Sequence, residues 1–258
     1  MKTIKPVLFL LFTTVSCCAQ WQPAAVTSWQ WQLSSVPSSS QLLPVNMYDV
    51  DGFDASASLV SAMHSKSIHA VCYISVGTWE NWRPDASLFP ASSKGKSNGW
   101  PGEEWLDIRS SAVRQLMSER FQMCQSKGFD AVEPDSMDGY TNATGFPLTA
   151  SDQLDFNRWV ANEVHSYGMA VFQKNDVEQT NELQPYFDAI LDEQCFQYSE
   201  CDTLSPYRSA NKAVFEVEYA GKKNVARTAS KICPKANAMN FNTLIKDMNL
   251  TAARTACR

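Results

Sequence analysis

Acidic residues recur where short apolar runs end. Asp49 and Asp51 close one such run, Glu133 and Asp135 close another with Asp138 just beyond, and Asp192 and Glu193 close a third. Glu216 and Glu218 precede Tyr219 in a fourth, and a fifth ends in Lys174-Asn175-Asp176. The three histidines, His64, His69 and His165, fall away from these ends. Carboxylates without a partnering histidine cannot form a Ser-His-Asp triad, and the chain has no G-x-S-x-G elbow for an esterase serine. They suit glycosidic hydrolysis, in which one acid protonates the leaving oxygen while a carboxylate attacks the sugar or activates water. Taken singly, each acid reads equally well as a helix cap or a solvated loop residue. Asp192 and Glu216 alternate with Glu193 and with Glu218 or Tyr219, so both members of such a pair cannot face one gap. Neither a C-x-x-C pair nor a calcium loop is present, and no metal or other cofactor is called for.

Such acids need strands to aim them. Short apolar runs predict strands at residues 45–51, 70–76, 105–108, 131–135, 170–174, 189–193, 213–219 and 238–241. Helical spacing falls between them at 56–65, 110–126, 151–167 and 177–187. Ser110 and Ser151 stand where caps are expected, each ahead of an apolar stripe. Alternating strands and helices imply βαβ units and a parallel sheet. Eight units in a chain of this length predict a (β/α)8 TIM barrel, an α/β fold with catalysis at the C-terminal strand ends. No G-x-G-x-x-G or P-loop supports the open doubly wound sheet instead. Residues 29–33 and 34–44 precede the first predicted strand, where they would close the barrel floor.

The chain has 258 residues, 44% hydrophobic and 11% aromatic, which supports a large core in one domain. Its net charge is −5, and it holds no Lys/Arg block, which argues against a nucleic-acid partner. Lys2 and Lys5, the apolar run 7–15 and the small residues Ser16 to Ala19 have the order of a secretory signal. Residues 1–19 are therefore expected to be removed, leaving a single domain over 20–258 that is secreted and extracellular; a lipid-anchored Cys18 is the rival reading. No stretch is long enough to span a membrane. Six cysteines remain after the leader, an even number that reads as disulfides in an oxidising compartment. Asn142-Ala-Thr144 and Asn249-Leu-Thr251 are acceptor sequences for N-glycosylation in a eukaryotic host.

The segments Val132-Glu-Pro-Asp-Ser-Met-Asp-Gly-Tyr140 and Asp192-Glu-Gln-Cys-Phe-Gln-Tyr-Ser-Glu-Cys201 resemble glycoside hydrolase family 114, the endo-α-1,4-polygalactosaminidases. Tyr48-Asp-Val-Asp-Gly-Phe-Asp54, Cys72-Tyr-Ile-Ser-Val-Gly77 with Trp79-Glu80, Lys174-Asn-Asp176 and Trp29-Gln-Trp-Gln-Leu33 are similar to the same family, in the same order. The resemblance covers the whole mature chain. It implies a (β/α)8 barrel that hydrolyses galactosamine-containing polysaccharide, with Asp135 and Glu193 as the catalytic pair. Ser136 and Asp192 depart from the Asn found in many relatives, and bear on fine specificity. A galactosamine polymer without acetyl groups is cationic, and Asp49, Asp51, Glu133, Asp138, Asp176 and Glu218 would line a cleft that attracts it. Tyr73, Trp79, Tyr140 and Tyr219 would stack on sugar faces, or else pack as ordinary core or rim. Lys174 would pair with an inward acid and help keep it ionised.

The expected partner is thus a cationic or partly acetylated polysaccharide, met by a monomer. A non-catalytic sugar-binding barrel and a glycosidase for another α-linked galactoside are the alternatives. Barrel positions pair the cysteines as Cys195–Cys201 across a short loop, Cys72–Cys124 in the lower half, and Cys233–Cys257 by elimination.

Overall fold

The computed structural model describes residues 20–258, so the expected leader lies outside the described residues. In chain order the elements are β1 (Trp29–Gln32), β2 (Met47–Asp51), α1 (Ala57–His64), β3 (His69–Ser75), β4 (Thr78–Glu80), β5 (Lys94–Ser97) and β6 (Glu103–Leu106). They continue with α2 (Ser111–Lys127), β7 (Ala131–Asp135), α3 (Ala150–Ser166), β8 (Ala170–Lys174), α4 (Thr180–Leu183), β9 (Ala189–Glu193) and α5 (Cys195–Tyr198). The last are α6 (Ser205–Ser209), β10 (Ala213–Tyr219), α7 (Val225–Ala238), β11 (Asn242–Lys246) and β12 (Thr255–Ala256).

Eight strands pair in parallel in the order β1-β2-β3-β7-β8-β9-β10-β11, and β12 adds antiparallel to β11. This is the expected (β/α)8 barrel. Its seam, between β1 and β11, is bridged by side chains. Trp29 Nε1 donates to the Asn242 carbonyl at 2.8 Å, and the buried Lys246 ammonium reaches Gln30 Oε1 at 3.3 Å.

Because side chains alternate along each strand, one parity fills the barrel and the other meets the helices. Trp29, Trp31, Met47, Val71, Phe172, Leu191, Phe215 and Val217 form the inner core. Phe215 packs against Trp29 and Phe172, with ring centroids 5.0 and 5.4 Å away. Trp21 stacks on His69 at 4.2 Å, so the segment ahead of β1 closes the floor. The other parity, including Val50, Ile74, Val132, Val171 and Ile190, packs with Phe121, Phe156 and Val160 of α2 and α3.

Four expectations differ from the structure. Residues 29–32 are the first barrel strand rather than floor, because Trp29 and Trp31 both point into the core. The run expected at 105–108 is β6 of a small antiparallel sheet, β4-β6-β5, inserted between β3 and α2. The last barrel strand begins at Asn242, since 238–241 complete α7 and its exit turn. The helix expected over 177–187 is a 3-10 turn followed by the short α4. Caps also shift. Ser110 makes no side-chain cap bond, whereas Thr149 and Asp152 form a reciprocal capping box at α3.

Three disulfides, Cys72–Cys124, Cys195–Cys201 and Cys233–Cys257, join the same partners that barrel position suggested. The first ties β3 to α2, and the second braces the turn after β9. Truncating the central floor ring should be costly. Phe172→Ala is expected to lower the unfolding free energy by about 3–5 kcal/mol, read by denaturant titration.

Candidate active site

Asp135, Lys174 and Glu193 are the last residues of β7, β8 and β9. The three strands are neighbours, with β8 between the other two, so inward parity delivers the lysine between the two acids. Its Nζ lies 2.8 Å from Asp135 Oδ1, 3.0 Å from Glu133 Oε1 and 3.3 Å from Glu193 Oε2. Lys174 is 2% exposed. Burial alone would strip its proton, but Asp135, Glu133 and Glu193 hold its pKa well above the usual lysine value.

Beneath this ammonium, Glu133 accepts a 2.9 Å bond from Trp31 Nε1. Burial pushes the Glu133 carboxyl up to about 7 against the pull of Lys174. Asp49 is fully buried, and burial followed by its neighbour Glu133 drives its pKa well up. The pair therefore carries less charge than two ionised carboxylates would.

Above it, Asp135 takes a 2.8 Å bond from Tyr73 on Oδ2 and the lysine on Oδ1. Burial opposes ionisation there, yet Lys174 and Tyr73 leave its pKa below the ordinary aspartate value. Glu193 accepts from Tyr219 on Oε1 and from Asn175 Nδ2 at 3.1 Å on Oε2. Asn175 also accepts the Glu193 backbone N–H at 3.0 Å, which fixes the carboxylate from both ends. Both side chains keep 24% of their surface exposed.

The backbone turns sharply after each of these residues. Ser136, Asn175 and Gln194 have φ of 62°, 47° and 67°, left-handed values that cost a non-glycine residue about 1–2 kcal/mol. Gly77 makes room for one of them, because a Cβ there would stand 1.8 Å from the Ser136 carbonyl oxygen.

The exposed faces of Asp135, Lys174 and Glu193 open into a cavity of about 630 Å³. Tyr73, Trp31 and Tyr219 also line it, as do Asn98, Trp100 and Glu103 from the inserted sheet and Met248 to Thr251 after β11. Two ordered carboxylates across a sugar-sized cavity, with no histidine, are equipped for glycosidic bond cleavage.

Over residues 13–258 the sequence matches the family described as glycoside-hydrolase family GH114. The chain belongs to that family. Among solved structures, it resembles Aspergillus fumigatus Ega3 in complex with galactosamine, with 36% identity and a TM-score of 0.87, covering 96% of this chain and 100% of that one. The glycoside hydrolase domain of PelA from Pseudomonas aeruginosa shares the fold at 13% identity and a TM-score of 0.72, covering 89% and 98%. Eubacterium rectale Amy13B shares it more distantly, at 11% identity and a TM-score of 0.57 over 87% and 67%. A search of curated proteins found no match.

Within this GH114 barrel, Asp49, Tyr73, Glu133, Asp135, Lys174, Glu193 and Tyr219 lie together, with the Tyr73 and Tyr219 hydroxyls turned to Asp135 and Glu193. Others do not. Asp51 is held by Arg83 at 2.7 Å and caps the turn at Phe53 and Asp54. Trp79 donates to the Ala86 carbonyl and lies under Lys94, whose ammonium is 4.1 Å from the ring, so one face is already covered, and the ring does not line the cavity. Tyr140 bonds Glu178 at 3.1 Å, and Asp176 is buried against Asn157 at 2.8 Å.

Glu218 has the outward parity and accepts the backbone N–H groups of Phe196 and Gln197. It belongs to a separate cavity of about 720 Å³ beside α7. Asp138 stands at the flank, its pKa pushed up to about 6 by burial and then by Asp135. Of the two glycan acceptors, Asn142 is exposed near Asp138 and Asn249 lies on the cavity rim. The histidines cap the opposite end, His64 and His69 on Asp130 and His165 on Asp188.

Sequence reasoning missed Trp31, Asn98, Trp100 and Glu103. Trp31 follows once residues 29–32 are read as a strand. The turn Asn98-Gly-Trp-Pro-Gly102 was visible as a motif, but nothing local tells where it folds.

Lys174→Met should cut kcat/KM by a factor on the order of 10² or more and move the acid limb of its pH profile upward, because Asp135 loses the cation that keeps it ionised. Lys174→Met/Glu133→Gln removes one stranded carboxylate and guards against simple misfolding. An unmoved acid limb in both folded variants would separate Lys174 from the ionisation of Asp135.

Proposed function

We propose that the chain is an extracellular, endo-acting hydrolase of α-1,4-linked galactosamine polysaccharide that works with retention of configuration. The likeness to Ega3, whose structure holds galactosamine, supports the substrate class. Three disulfides support an oxidising compartment.

The observation that carries the mechanism is the shared ammonium. Asp135 Oδ1 and Glu193 Oε2 meet one nitrogen at 2.8 and 3.3 Å, so these oxygens stand at most about 6.1 Å apart. Retaining enzymes place their carboxyl groups ~5–5.5 Å apart and inverting ones ~6.5–9.5 Å, to admit a water. The short spacing favours retention.

In this reading the ionised Asp135 carboxylate attacks the anomeric carbon while Glu193 gives its proton to the departing glycosidic oxygen. The C–O bond to the leaving sugar breaks as a glycosyl ester to Asp135 forms. Glu193, now a carboxylate, takes a proton from water, whose oxygen attacks the anomeric carbon and frees Asp135. Tyr73 and Lys174 hold Asp135 still for attack, and Tyr219 and Asn175 do the same for Glu193. The partner is the cationic or partly acetylated polymer.

Purified protein incubated with de-N-acetylated α-1,4-galactosaminan should release short amino-sugar oligomers detectable by mass spectrometry. Asp135→Asn and Glu193→Gln should each lower kcat by about 10³-fold or more without unfolding the protein. Proton NMR of the first turnovers should show the α anomer. A first-formed β anomer would overturn retention, and near-normal turnover by Asp135→Asn would overturn its role. Binding without products from the parent protein would favour the sugar-binding barrel.

A further inference from the structure

The carboxylates at the reaction centre already share one cation. Lys174 lies between Glu133, Asp135 and Glu193 and takes one oxygen of each, and burial drives the Asp49 pKa well up. A substrate ammonium entering there meets a lysine of its own sign. A carboxylate on another wall of the cavity, away from Lys174, would meet a free amine without that repulsion.

Glu103 is on that wall. Its Oε2 accepts from Asn98 Nδ2 at 2.7 Å and Thr78 Oγ1 at 3.1 Å, both neutral donors that fix the carboxylate plane. Its Oε1 has no hydrogen-bond partner among the described residues. Arg83, the guanidinium whose field reaches it, is engaged by Asp51 and Glu80. Glu103 is thus an oriented, unpaired carboxylate beside the catalytic pair. Partial burial raises its pKa against the pull of Asn98 and Thr78, which means that an incoming cation would relieve the site.

Trp100 lines the same cavity and is 52% exposed, unusual for so large an apolar side chain. The turn that carries it is built rather than loose. Gly99 and Gly102 adopt φ of 100° and 85°, Asn98 Oδ1 accepts the Trp100 N–H at 3.0 Å, and the Trp100 carbonyl accepts the Glu103 N–H at 3.2 Å. The Gly102 carbonyl is pinned by the Asn81 N–H at 3.0 Å. Met248, 54% exposed, adds a second apolar side chain from the loop after β11.

We propose that Asn98, Trp100 and Glu103 form a further sugar subsite, next to the bond being cleaved, that selects a galactosamine unit with a free amine. The Trp100 ring covers the apolar face of the pyranose, and Glu103 Oε1 receives the ammonium. An N-acetylated unit would keep the stacking and lose the ion pair. This rests on the galactosamine reading above and adds where along the polymer the charge is sensed.

The test compares a galactosamine tetramer with its fully N-acetylated counterpart. Affinity is measured by calorimetry on Glu193→Gln protein, with and without Glu103→Gln or Trp100→Ala, and KM is measured on the same variants with Glu193 intact. Glu103→Gln should weaken the amine tetramer about tenfold, abolish its preference over the acetylated one and flatten its salt dependence. Trp100→Ala should weaken both tetramers by a similar factor, about tenfold. An unchanged amine preference in Glu103→Gln would overturn the subsite even if the enzyme cleaves galactosaminan normally. Tight binding with loss of the preference, but no turnover in the parent, would uphold the subsite and strike the proposed reaction. No binding of either tetramer by the parent would overturn both.

Discussion

One ammonium group organises this site. A lysine with 2% exposure is tolerable only when carboxylates replace the water it has lost. Lys174 has three of them within 3.3 Å, drawn from the strands on either side of its own. That requirement fixes the heights at which β7, β8 and β9 end and makes them neighbours. It also explains the left-handed residues after each strand. The chain must leave the barrel abruptly if the last inward side chain is to stay at the rim. Replacing the lysine by arginine would not preserve this, because a planar fork cannot take the place of a point charge shared by three acids on the two flanking strands.

The same cation divides the acids by depth. Glu133 and Asp49 lie in the inner layer, where burial raises the pKa of both and disfavours charge. Asp135 and Glu193 lie one step up their strands or across from it, still touching Lys174 but open to the cavity. Each upper acid then receives a tyrosine, Tyr73 for Asp135 and Tyr219 for Glu193. The lower pair supports the lysine, the lysine sets the charge of Asp135, and the tyrosines set the angles. Such concentration of polar groups in a barrel interior works against stability, and the aromatic floor of Trp29, Phe172 and Phe215 with three disulfides works in the other direction.

What could be read beforehand came from the acids' places at predicted strand ends and from the family resemblance, which singled out Asp135 and Glu193, and periodicity agrees with both. On β7 the alternation of Ala131, Glu133 and Asp135 against Val132 places the acids inward without any structure, and β9 does the same for Glu193. β1 escaped because four residues, Trp-Gln-Trp-Gln, carry polar side chains on the outward face where an apolar one was expected. There Gln30 bonds the Ala252 carbonyl and Gln32 that of Ser35, so loop backbone rather than a helix covers that face. The inserted sheet escaped for a different reason. An antiparallel strand such as β6 has the local signature of a barrel strand, and only its partners, β4 and β5, reveal its place. Arg83 belongs to that insertion, and its pairing with Asp51 across 32 positions is a tertiary fact that no local pattern announces.

These pairings change how the acidity of the chain bears on its substrate. A count of strand-end acids suggests a cleft that draws a polycation by its total charge. In the folded protein most of those acids are already committed: Asp51 to Arg83, Asp49 and Glu133 to each other and to Lys174, Glu218 to backbone amides outside the barrel. A neutralised carboxylate contributes little field beyond its own contacts, and what remains is screened within about 8–10 Å at ordinary salt. In the reading proposed above, attraction of the polymer falls to acids outside that network, such as Glu103 in the cavity wall. The internal acids serve to hold the lysine, which in turn holds Asp135. In that reading, charge that builds the reaction centre and charge that gathers the substrate are carried by different residues, and the inserted sheet, which a minimal barrel does not need, supplies the second kind.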